Sequence, residues 1–374
     1  MPVNDFTKNN AERTRSYNPN RFNALDSGIV YIIVLVVFFG VSYFAGKLFG
    51  EPLRELYKFD VYAYMVVNIL ISQLSIFIVA LIYSLIRKTN PFRGGGYIAK
   101  FDGVQMLMAI LLIMGIMMSF YHAHLQFGSD AEKILGEGFV PDNNLSPYSG
   151  FFVLVYIVLT VLCPAIFEEM LFRGIIMRGL EQFGVIASVV LSSLAFALMH
   201  GNFSQLILQF IGGLAIGSVV TITGNYLIGS VMHGFNNLFS VVYGILITNL
   251  GKNFVSLYLS TVTEAATILI GVAFLTISII YFGKLAFEKK RKEILGVLPV
   301  GRFDKVEYYE KEENGEHALV PHYVKPEQKS FGESDERLFK IGSKYRKLNK
   351  KSPFMLSCII YGAAILIAII SIFI

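Results

Sequence analysis

Apolar residues in this chain come in long unbroken runs separated by short polar stretches. A helix rises about 1.5 Å per residue, so roughly 20 apolar residues cross a bilayer core. In lipid, a spanning segment satisfies its own backbone as a helix or within a closed barrel. These runs are continuous rather than alternating, which selects helices. The pattern predicts spans at 29–46, 61–86, 104–121, 149–172, 185–200, 205–222, 226–247, 262–283 and 354–374. The 185–200 run is short, and its length leaves both a full and an incomplete crossing open. The fold class is therefore all-α, a polytopic transmembrane helix bundle of eight or nine spans.

The polar stretches divide the chain. Residues 1–26 form a polar tail, and 27–148 hold the N-terminal transmembrane helices. The tail has no apolar core of its own, so the first span is expected to act as an uncleaved anchor. A turn-rich stretch, PDNNLSP at 141–147, leads into the closely linked spans of 149–247, which hold most of the intramembrane polar residues. A further transmembrane helix fills 248–283, a soluble basic loop 284–352, and a C-terminal transmembrane helix 353–374. The loop's apolar stretch Ile294 to Val300 is too short to predict a fold.

Charge changes this picture by adding direction. Lys8, Arg13, Arg15 and Arg21 precede the first span, and Arg87, Lys88, Arg93 and Lys100 fill the second loop. The third loop is acidic, with Asp130, Glu132, Glu137 and Asp142 against Lys133. The positive-inside rule then places the N-terminus in the cytoplasm of a multi-pass cell-membrane protein. Nine spans put the basic 284–352 loop on that same side and the C-terminus outside. Topology accounts for the net charge of +5 with no nucleic-acid partner. The run Lys289 to Lys292 reads as a juxtamembrane segment near anionic lipid, or as a docking or gating element. Cys163 and Cys358 lie in separate apolar runs and read as small buried hydrophobes.

The candidate chemistry lies inside the apolar runs. A charge at a helix centre in a bilayer costs about 2.5–3.5 kcal/mol on insertion scales and normally marks function. Glu168, Glu169 and Arg173, in AIFEEMLFRGII, must be paired or lie at a membrane edge where the helix has ended. Glu169 and Arg173 are four apart and share a helix face, so they can pair. Glu168 sits about 100° around the helix and is free to point elsewhere. His200 closes the next run, in FALMH, and His233 and Asn237 share a face in HGFNN. Singly, each reads as a structural hydrogen-bonding residue or as polar glue between helices. Jointly, an acid and a histidine can deprotonate a water, and a histidine with an amide can stabilise an oxyanion. Two histidines with a carboxylate can instead hold a catalytic zinc. No HExxH, G-x-S-x-G, Walker A or CxxC pattern occurs. Gly201, Gly212, Gly213 and Gly217 would permit close helix approach.

Three short motifs on three successive apolar runs carry a resemblance. They are Glu168-Glu169-x-x-x-Arg173, Phe196-x-x-x-His200 and His233-x-x-x-Asn237. In this the chain resembles the CPBP family of intramembrane proteases, which includes the type II CAAX prenyl endopeptidases and Abi-type membrane proteins. The resemblance covers residues 149–247 and implies an intramembrane endopeptidase acting on a membrane-associated peptide or lipidated protein. It implies Glu168 as general base assisted by His200, His233 and Asn237 as the oxyanion hole, and Arg173 holding Glu169. The family has been described both as metal-free and as metal-dependent. With two core histidines, no cofactor is favoured, and zinc on Glu168, His200 and His233 is the alternative. The competing functions are a non-enzymatic bacteriocin-immunity or scaffolding protein, and a proton-coupled transporter using Glu168, His200 and His233 as a relay.

Overall fold

The computed structural model describes residues 22–87, 102–135, 149–201, 205–258, 261–294, 305–313, 316–324 and 353–372. Helix α1 (Ala24–Phe59) opens on a capping box, with the Asn23 side chain and Asp26 each accepting the other's backbone N–H. Its backbone leaves helical geometry at Phe49, three residues before Pro52. Proline supplies no N–H to the preceding turn and crowds its carbonyl, so a kink is expected there. Helix α2 (Val61–Ile86) starts at Asp60, whose Oδ1 accepts from the N–H groups of Tyr62 and Ala63. The other oxygen of Asp60 accepts the N–H of Ser149 at 2.7 Å. One side chain thus ties the α1–α2 turn to the start of α4 (Gly150–Leu171).

At the opposite end, Asp26 accepts from Tyr83 at 2.7 Å and from Arg87 at 3.0 Å. That fixes the start of α1 against the end of α2. The end of the fourth helical segment joins them, with Ser27 donating to the carbonyl of Ile176 at 2.9 Å. Gly179, in the short α5 (Met177–Leu180), leaves no room for a side chain, since an added Cβ would lie 2.3 Å from the Asn23 carbonyl oxygen. A last helix, α10 (Phe354–Ile370), begins at this same end, with Phe354 edge-on to Phe183. Its Tyr361 donates to the carbonyl of Leu191.

Two segments decide how the polar residues meet. Helix α6 (Val185–Met199) has 15 residues and reaches only about 22 Å into the bundle. Helix α7 (Leu206–Thr223) returns beside it, with Gly213 against Ser193 and Gly217 against Val189. Gly224, left-handed at φ 72°, then turns the chain into α8 (Tyr226–Tyr258). The α6–α7 pair enters and leaves at one end, so a short α6 does not change the side of anything downstream. Helix α3 (Gly103–Leu135) packs antiparallel to α9 (Thr261–Ile294), with Gly115 against Leu275 and Gly271 against Ser119. The start of α10 therefore lies at the same end of the bundle as the start of α1.

The chain is a polytopic helical bundle, as the sequence predicts. Among the described residues, six helices are long and apolar enough to cross a membrane, and α6 and α10 are shorter apolar helices. Helix α1 runs well past the predicted span at 46, and α8 runs past 247 to Tyr258. The 248–283 division thus begins with the end of α8. The 284–352 segment is not a plain loop. Helix α9 carries its basic start to Ile294, and strands β1 (Lys305–Glu313) and β2 (Glu316–Val324) form an antiparallel hairpin with Lys305 opposite Val324. Nine-residue strands two residues apart in sequence give no apolar run long enough to register, which is why hydropathy alone misses them. Most of the second and third loops lies outside the described residues.

Candidate active site

Glu168 and Glu169 lie near the end of α4, and neither stands at a surface. Glu169 is 0% exposed, Arg173 1% and Glu168 7%. The edge-of-membrane reading of this motif is therefore replaced by a buried one. Glu168 is some 15 residues, or about 22 Å, from the end of this helical segment at Phe183. His200 lies equally deep, because α6 starts at that end and stops halfway. A 185–200 run that crossed fully would carry His200 to the opposite membrane face, away from Glu168 and His233. The half-length α6 brings the three to one level instead.

Local backbone geometry helps aim these side chains. Residues Phe172–Ile176 form a π-turn, a one-residue insertion common at functional sites. The N–H of Phe172 is shared between the carbonyls of Glu168 and Glu169. The turn's own carbonyls take side-chain partners, with Tyr226 donating to the Arg173 carbonyl and Ser27 to that of Ile176. Tyr226 also accepts from Arg178 Nε at 3.0 Å, so this second buried arginine braces the same turn.

Arg173 Nη1 donates to Glu169 Oε1 at 3.0 Å, the predicted four-residue pair. Its Nη2 reaches the Gly213 carbonyl on α7 at 3.1 Å, and its guanidinium lies 4.9 Å over the Phe196 ring. Phe196 is a spacer as well, standing edge-on to both His200 and His233. The aromatic of the FxxxH motif thus touches three members of the site.

The histidine tautomers follow from their partners. His200 Nδ1 lies 2.9 Å from the Phe196 carbonyl oxygen, which can only accept. Nδ1 therefore carries the proton, and the Nε2 lone pair faces away from it. His233 Nδ1 lies 2.9 Å from Glu169 Oε1, and its Nε2 lies 3.8 Å from Glu168 Oε2. His200 is within electrostatic reach of Glu168 and His233. Glu168, His200 and His233 are thus brought together, with Glu169 and Arg173 behind them.

Asn237 also has a backbone partner that its spacing to His233 does not show. Its Nδ2 donates to the backbone carbonyl of Thr160 at 3.0 Å, and its Oδ1 accepts from Asn236 at 3.4 Å. Thr160 is four residues before Pro164, so the N–H that would normally bond its carbonyl does not exist. Asn237 supplies the missing donor from α8 and leaves one N–H uncommitted. Gly234 lies against Val161 and Ala165 on α4. Asn237→Ala is expected to destabilise the fold by about 1–3 kcal/mol, the cost of a stranded buried carbonyl. In a Pro164→Ala background the new N–H satisfies Thr160, and the same change should cost close to nothing. Denaturation of the four proteins in detergent measures the difference.

One site residue was missed. Gln73, on α2, donates from Nε2 to Glu168 Oε1 at 2.7 Å and is 6% exposed. Its only sequence signal was an amide in the middle of an apolar run. A cavity of about 530 Å³ lies between α1, α2 and α4, lined by Ser42, Tyr64, Asn68, Ser72 and Tyr156 among others. It reaches the α2 turn next to Gln73.

Among the described residues, no group of three or more His, Cys, Asp or Glu side chains converges to hold a metal.

Residues 150–239 match the family model of Rce1-like type II CAAX prenyl endopeptidases. The matched segment contains all three motifs and supports the CPBP/CAAX protease family. It leaves out α1, α2, α3, α9 and α10. No curated protein and no solved structure matches.

Proposed function

On the premise that residues 150–239 are an Rce1-like domain of the CAAX protease family, we propose that this membrane protein is an endopeptidase that cuts a membrane-associated peptide or lipidated protein. The observation that carries the reading is one buried carboxylate, Glu168, facing a histidine at 3.8 Å while its neighbour Glu169 is tied up by Arg173. Two adjacent acids are thereby given two tasks. Glu169 is held in an ion pair, and Glu168 is left to work.

A water between Glu168 Oε2 and the Nε2 of His200 gives up a proton to Glu168, and its oxygen attacks the peptide carbonyl carbon. The new C–O bond leaves an oxyanion. His233 faces it through Nε2, with Nδ1 held at Glu169, and the uncommitted N–H of Asn237 offers a hydrogen bond to it. The tetrahedral species collapses with the C–N bond breaking, and Glu168 returns its proton to the leaving amine. Glu169 and Arg173 hold His233 through the 2.9 Å contact to Glu169. Burial of the site about 20 Å from the bundle end fits a substrate presented within the membrane.

The test uses the purified protein in detergent with a farnesylated peptide ending in a CAAX box, fluorophore and quencher flanking the scissile bond. Cleavage by wild type, unchanged by a zinc chelator, is expected. Cleavage abolished by the chelator and restored by zinc would overturn the metal-free mechanism. Proton-coupled flux in liposomes without cleavage would favour the relay instead.

A further inference from the structure

The matched segment ends well short of α2, yet α2 contributes a direct partner to the proposed base. We infer that Gln73 is a positioning residue, and that it acts by holding the plane of the Glu168 carboxylate, one oxygen on Gln73 and the other towards His233. The inference rests on Glu168 being the general base.

The geometry is specific. A carboxylate can only accept, so the Gln73 amide is oriented with Nε2 towards Glu168. That bond occupies Glu168 Oε1. Oε2 is then the oxygen left facing His233. The terminal torsion of a glutamate is broad, so nothing intrinsic to the side chain holds the carboxylate plane. Glu169 cannot impose it, because its bonded oxygen already serves Arg173 and His233.

A purely structural role explains Gln73 poorly. Its Oε1 is buried with no hydrogen-bond partner. An unpaired buried acceptor disfavours the fold relative to an apolar residue of similar size. Its neighbours on α2 show that the surroundings accept apolar side chains, with Ile76 at 1% exposure and Val66 at 9%. Leu or Met would fill the same space without an unpaired acceptor of its own, and what Gln73 adds is one hydrogen bond to Glu168.

The experiment compares wild type, Gln73→Leu, Gln73→Met and Glu168→Gln on the farnesylated CAAX peptide, with thermal unfolding of each protein. Gln73→Leu and Gln73→Met are expected to lower kcat about 10–100-fold, the scale of a misaligned reacting group. KM should stay within about threefold, since a group that only aligns the base adds no ground-state binding. Tm should fall by no more than a few degrees, the loss of a donor to Glu168 Oε1 being partly offset by removal of the unpaired Gln73 acceptor. Wild-type kcat in both variants, with Glu168→Gln inactive, would overturn the role of Gln73 and leave the base assignment standing. A kcat loss that tracks a fall in Tm in both variants would overturn it in favour of packing. Full activity in Glu168→Gln, or no cleavage by wild type, would remove the base and the inference together.

Discussion

Glu168→Gln should abolish peptide-bond cleavage while leaving a folded protein. The expected loss is about 10²–10⁴-fold in kcat, the usual worth of a positioned general base. Glutamine is the sharper substitution, because it keeps the shape of the side chain. Its carbonyl oxygen can still accept from Gln73 Nε2, as Glu168 Oε1 does at 2.7 Å. What it cannot do is take a proton from water. Glu169→Gln should behave differently, because Glu169 meets Arg173 and His233 rather than the proposed water. A cleavage assay at saturating peptide separates the two. Equal activity in Glu168→Gln and wild type would end the general-base assignment.

Arg173→Met should be the most destabilising change in the site. Arg173 is 1% exposed and Glu169 0% exposed, so removing the guanidinium leaves a buried carboxylate without its cation, with only the His233 ring still bonded to it. Breaking a buried ion pair by removing one partner costs about 3–5 kcal/mol. The Gly213 carbonyl loses a donor and the Phe196 ring its cation in the same step. The second prediction follows from the first. Arg173→Met combined with Glu169→Gln should regain most of the loss, because no unpaired charge remains. Urea unfolding in detergent measures both. If the double variant were as unstable as the single one, the pair would matter for packing rather than charge.

Much of this was legible in the sequence. Unbroken apolar runs gave the helices, because a bilayer demands length and apolarity from every span. The spacing of Glu169 and Arg173 gave their pairing, because four residues return a helix to the same face. The shared level of Glu168, His200 and His233 was not legible, because it depends on where α6 stops and on α7 returning beside it. The π-turn was hidden for a similar reason, as an inserted residue leaves no mark on composition. Gln73 was out of reach because its contact spans 95 residues and belongs to no motif. Asn237 shows a different limit. Its spacing to His233 was read for chemistry, while Pro164, visible in the sequence, had already created a carbonyl in need of its amide.

The account turns on Glu168-dependent proteolysis. The most direct measurement compares membrane and secreted peptides, by mass spectrometry, between cells making wild type and cells making Glu168→Gln at matched expression. The account predicts at least one fragment present only with wild type, with its intact precursor accumulating in the variant. Identical peptide profiles, with the variant folded and the cellular phenotype unchanged, would contradict it and favour an immunity or scaffolding role.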